Sequence, residues 1–109
     1  MSNTFTLKAL LEYTGQDASK PILLGFNGHV YDVTTGKGFY GPGGAYSLFA
    51  GHDCTRSLAL GSLDPNDLPG ETDPFQTTST VDAELVAGIE SWEKRLKAKY
   101  PVVGQLVNA

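Results

Sequence analysis

Between Thr34 and Tyr46 the chain carries five glycines, Pro42 and three aromatic residues, Phe39, Tyr40 and Tyr46. Glycines at this density let a backbone bend sharply and approach a flat or bulky body closely. The aromatic side chains then either meet such a body or cap the protein's own core, and the residues alone leave both readings open. Phosphate cradling is a poor rival. Neither Gly-x-Gly-x-x-Gly nor Gly-x-x-x-x-Gly-Lys-[Ser/Thr] occurs, and Gly43-Gly44 does not directly follow a strand.

Other chemistry is sparse. Ser57 and Ser62 lack a Gly-x-Ser-x-Gly setting, and no His/Asp partner can be placed for them. Cys54 stands two residues from His52, and positions i and i+2 on a helix point apart, so a small buried residue is the better account of Cys54. His29 and His52, the two histidines, read as ordinary surface or turn residues. Asp82, Glu84 and Glu90 read as exposed helix charges rather than a carboxylate pair.

The elements that must position these residues are legible from pattern. Thr6 is a plausible N-cap before Leu7, Leu10 and Leu11, with Gly15 as the stop. Pro21 opens the apolar run 22–26, Asn27-Gly28 signals a tight hairpin, and His29 to Val33 forms the returning strand. Val30 faces one side of that strand, Tyr31 and Val33 the other. The segment 34–46 fits no regular element. Short helices are expected at 46–50 and from a cap at Asp53 to Gly61, then a proline-punctuated surface loop over 62–79 pinned by Phe75. Leu85, Ile89, Trp92 and Leu96 mark one face of a final helix, opened by a Ser79/Asp82 capping box and ended by Pro101.

Composition bounds the rest. At 109 residues the chain suits one domain, 1–109, and one core. So small a body cannot also enclose a large cavity, so a sizeable cofactor would sit in an open groove. The net charge of -4, with no basic stripe, argues against a nucleic-acid partner. The cluster Lys94, Arg95, Lys97 and Lys99 is balanced by Glu84, Glu90 and Glu93 and reads as a solvated helix face. One cysteine allows no internal disulfide and points to a reducing compartment. The start has no signal-peptide pattern, and apolar runs are far too short to span a membrane.

Pro21-Ile22, Gly28 with Asp32-Val33-Thr34, and above all the unbroken block from Phe39 to Gly51 resemble the membrane-associated progesterone receptor family, relatives of cytochrome b5. The likeness continues at Asp53, Arg56, Leu58-Ala59 and Trp92, and through 99–104. It implies an α+β, cytochrome b5-like fold, a small mixed sheet with short helices forming a haem groove. Cytochrome b5 takes its first haem histidine from a His-Pro-Gly-Gly motif; here the stretch is Gly41-Pro42-Gly43-Gly44, and no second histidine matches.

The resemblance implies instead that Tyr46 is the single axial ligand of haem b, as a tyrosinate. Ferric iron is a hard cation and favours deprotonated oxygen. Tyr40 and Tyr100 match positions that line the haem and hydrogen-bond near it, and Lys99 matches the lysine paired with a propionate. Such a site favours Fe(III) and leaves the sixth position open. The implied role is a non-enzymatic haem-binding module supporting membrane-bound cytochrome P450 enzymes of sterol metabolism, with haem-mediated homodimers and steroid binding as lesser implications. The implied location is cytoplasmic, peripheral at the endoplasmic reticulum through a partner. The competing readings are a haem-free interaction module and a b5-type electron carrier.

Overall fold

The computed structural model describes residues 3–108. Strand β1 is Asn3–Phe5 and helix α1 is Leu7–Leu10. The Thr6 hydroxyl accepts from the Ala9 N–H at 3.1 Å, which is the expected N-cap. The helix stops earlier than Gly15, although that glycine does take a left-handed φ of 87°.

The hairpin forms where expected. Strands β2 (Leu23–Phe26) and β3 (His29–Asp32) pair antiparallel, Leu23 against Asp32 and Phe26 against His29. Asn27 and Gly28 turn at φ 50° and 82°, the positive values a type I′ turn requires. Strand β4 (Val102–Leu106) lies between β3 and β1, antiparallel to the first and parallel to the second. The sheet is therefore mixed and runs β1-β4-β3-β2.

Alternation along the hairpin divides the interior in two. Leu24, Phe26, Tyr31 and Val33 face the larger core with Phe49, Leu58, Ile89 and Leu96. Leu23 and Val30 face a smaller one with Leu7, Leu10 and Leu106, onto which Phe75 packs. The hairpin is thus covered on both sides, while β1 and part of β4 remain exposed.

The segment 34–46 is more ordered than its composition implies. A single 3-10 turn, Thr34–Gly36, leads into helix α2, Lys37–Tyr40. A further 3-10 turn, Ser47–Phe49, precedes helix α3, Thr55–Leu60, which ends at Gly61 with φ 68°. Helix α4 spans Val86–Lys99 behind a short turn at Ala83–Leu85. Its stripe faces inward as expected, Ile89 and Leu96 buried and Leu85 and Trp92 packed at the edge. The Ser79/Asp82 box does not form: the helix starts later, and Thr77 and Thr80 hydroxyls accept from the local amides of Ser79 and Thr77.

Asp53 is not the formal cap of α3 but holds more than a cap would. Its buried carboxylate accepts from Thr55 N–H (3.2 Å), the Thr55 hydroxyl (2.6 Å) and Gln76 N–H (2.7 Å). Burial pushes its pKa up, and the three donors offset only part of that. Through Gln76, and through Asn27 Oδ1 accepting from Thr78 N–H at 3.1 Å, the proline-rich loop is fastened to the body. Asp53→Ala leaves these donors unmatched in the interior, and a loss of about 3 kcal/mol is expected in urea unfolding.

Tyr31 is fully buried, and its hydroxyl has no hydrogen-bond partner among the described residues. Burial, then the Glu93 charge, pushes its pKa up to about 12. An unfolded tyrosine ionises near 10, so stability is complete below that pH and drains as pH climbs through 12. Tyr31→Phe is expected to flatten this alkaline decline and to shift stability at neutral pH by less than about 1 kcal/mol.

Candidate functional site

The glycine-dense segment is folded back on α2 by its own backbone. Gly41 N–H donates to the Lys37 carbonyl (2.8 Å), Gly44 to Gly41 (2.9 Å) and Tyr46 to Phe39 (2.8 Å). Gly44 lies so near the Phe39 carbonyl that an added Cβ would collide with it. That approach lays the Tyr46 ring among other rings. Its centroid is 5.9 Å from Tyr40, 6.3 Å from Phe39 and 5.8 Å from Phe49, on which it stacks. Tyr100 meets Tyr40 edge-on at 6.1 Å.

Phe39, Tyr40 and Tyr46 line one part of an open groove of about 380 Å³, and α4 with Tyr100 lines the rest, while Phe49 supports the Tyr46 ring from the core. Tyr40, Tyr46, Lys99 and Tyr100, the four residues singled out by sequence, all line it, together with Phe39, Trp92, Arg95 and Leu96. Two segments separated by about fifty residues of chain thus meet at one place. Neither His29 nor His52 lines the groove: His29 is half-buried on β3, and His52 Nδ1 lies 3.0 Å from the Ala50 carbonyl. Among the described residues no cluster of His, Cys, Asp and Glu could hold a metal.

Burial, reinforced by Cys54, Tyr100 and Tyr46, pushes the Tyr40 phenol far above its ordinary value, so it keeps a hydrogen that it can donate. Cys54 is buried, its thiol donating to the Gly25 carbonyl at 3.3 Å, and burial raises its pKa well above the ordinary thiol value. A buried, protonated thiol is a poor nucleophile.

Sequence reasoning overlooked Arg95 and Trp92 as groove residues. Trp92, Arg95, Leu96 and Lys99 fall at i, i+3, i+4 and i+7, so one helix face holds all four. Charge balance had assigned Arg95 to the solvated face. The spacing relative to Trp92 was the available signal.

A mixed four-stranded sheet with short helices and an open, ring-lined groove makes this a cytochrome b5-like domain. A solved structure from Arabidopsis thaliana, described as having a cytochrome b5 like fold, superposes with a TM-score of 0.82 at 40% identity, covering 98% of this chain and 93% of that one. Residues 6–107 match the family model of the Cytochrome b5-like Heme/Steroid binding domain. Probable steroid-binding protein 3 of Arabidopsis thaliana is 44% identical over 95% of this chain and 98% of its own length. Membrane-associated progesterone receptor component 2 of Homo sapiens is 43% identical over 94% of this chain. The chain belongs to this family of cytochrome b5-like haem/steroid-binding domains, in its membrane-associated progesterone receptor branch. It spans nearly all of the Arabidopsis relative but only 44% of the human one. No helix among the described residues is long and apolar enough to cross a membrane.

The residues present fit a haem. The groove is open-sided and mainly apolar, and three tyrosines and two cations are among the residues that line it. The seat of Tyr100 is narrow: a Cβ at Gly36 would run into its hydroxyl. Gly36→Ala is therefore expected to cost about 1–3 kcal/mol and to displace the ring. A double mutant with Tyr100→Phe should recover most of that loss, measured as a cycle of unfolding midpoints.

Proposed function

We propose that this domain is a non-enzymatic haem b-binding module in which Tyr46 is the axial ligand. One observation carries the reading: Tyr40, Tyr46, Lys99 and Tyr100, distant in sequence, line a single groove. The haem supplies a hard ferric centre, for which a phenolate is an apt partner. Tyr46 offers that oxygen from a ring held by stacking on Phe49. Tyr40, kept protonated by burial, stands beside it as a hydrogen-bond donor that would favour the phenolate form. Lys99 and Tyr100, where α4 meets β4, would serve the polar edge of the ligand.

With no histidine in the groove, b5-type electron shuttling is disfavoured. A single anionic oxygen ligand would also favour the ferric state and would leave the opposite face open. That face would admit a small ligand or the haem of a second copy, giving haem-mediated homodimers. The wider role that fits is support of membrane-bound cytochrome P450 enzymes of sterol metabolism, by contact or by haem supply. Location at the endoplasmic reticulum membrane would then come from that partner. A second reading, steroid binding in the same groove, is favoured by its apolar lining and by the relatives' names.

Absorption spectra of haem-loaded wild type and Tyr46→Phe test the ligand. The variant is expected to shift the ferric bands and to bind haem at least tenfold more weakly. An unchanged ferric spectrum would overturn the assignment.

A further inference from the structure

Helix α4 carries two kinds of cation. Lys97 is paired with Glu93 at 2.9 Å, and Lys94, with no ion pair among the described residues, lines a separate surface depression that also holds Glu90 and Glu93. Arg95 and Lys99 line the groove instead, and among the described residues neither has a carboxylate within ion-pair distance. They stand one helical turn apart, on the face that also carries Trp92 and Leu96.

Arg95 is not simply solvated. Its guanidinium lies 5.1 Å from the centre of the Trp92 ring, close enough for a cation–π contact that limits where the charge can go. Leu96, 2% exposed, forms the apolar floor beside it. The wall is thus an apolar surface with two unneutralised cations one turn apart along its outer edge. An uncharged ligand has no use for that edge. A flat apolar body with two carboxylates on one side would satisfy both cations while burying its rings on the aromatic wall.

We infer that Arg95 acts with Lys99 as a two-cation clamp that selects planar ligands bearing two carboxylates over neutral ones. The inference rests on the haem reading and extends it: Arg95 is a specificity residue, and the clamp works independently of iron. The Trp92 stack orients Arg95, whose planar fork suits a carboxylate. Because both cations are exposed, each contributes modestly, and selectivity needs the pair.

The chain's one tryptophan, Trp92, supplies the readout. Its fluorescence is titrated in the full chain with metal-free protoporphyrin IX and with its dimethyl ester, which removes both charges and needs no ligation by Tyr46. Wild type is expected to bind the diacid about tenfold more tightly than the diester, with a preference that shrinks as salt is raised. Arg95→Gln and Lys99→Gln are each expected to weaken the diacid about three- to fivefold and leave the diester unchanged, and Arg95→Lys to restore part of the loss. Equal affinities in wild type, or an Arg95→Gln loss shared by both ligands, would overturn the clamp while leaving the haem reading standing. Quenching by neither ligand would overturn both. A diacid preference that survives an unchanged Tyr46→Phe ferric spectrum supports the clamp and removes only the tyrosinate.

Discussion

The groove and the core share residues, and the rest of the structure depends on that sharing. Tyr40 and Leu96, 5% and 2% exposed, belong to the larger core and also line the groove. A chain of 109 residues has too little interior to close around a large planar molecule. Its core is therefore left open on one side, and a ligand there would complete the packing. Folding and binding become linked: whatever occupies the folded groove raises apparent stability by mass action.

Sharing requires both walls to be held firmly without a ligand. On the aromatic side the support is backbone hydrogen bonding between the glycine-rich turns and α2, with ring stacking on Phe49. On the α4 side it is covalent continuity with the sheet. Tyr100 N–H closes the helix onto the Leu96 carbonyl at 2.8 Å, and the next residue, Pro101, accepts from Asp32 N–H at 3.0 Å as β4 begins. Tyr100 is thus pinned between helix and strand. The other face of α4 is tied to the hairpin turn, where Asn27 Nδ2 donates to Glu93 Oε2 at 2.5 Å. Burial pulls the Glu93 carboxyl up, but Lys97 and Asn27 outweigh it and hold it below the ordinary value.

The same helix divides its charges by face. Where carboxylates are near, as for Lys97 with Glu93, the cations are neutralised on the solvent side. At the groove they are left unmatched, and the wall between them is apolar. A net charge of -4 for the whole chain conceals this local excess of positive charge, because averages over composition carry no direction.

Much of the fold was legible before any coordinates. The Asn27-Gly28 hairpin, the Thr6 cap, the Ile89/Leu96 stripe and the stop at Pro101 follow from local backbone preference and periodicity. Local rules also misled: composition hid helix α2, and the Ser79/Asp82 pattern marked a cap that nearby threonines made unnecessary. The sequence by itself determined which residues bend, pair and repeat, because those properties act over a few positions. Only tertiary structure decided that residues 39–46 and 92–100 line one groove, that Asp53 holds a distant loop, and that the Trp92/Arg95 face of α4 is the one turned to the groove. Such meetings depend on how the sheet orders its strands and how α4 packs across it, and no local pattern encodes that.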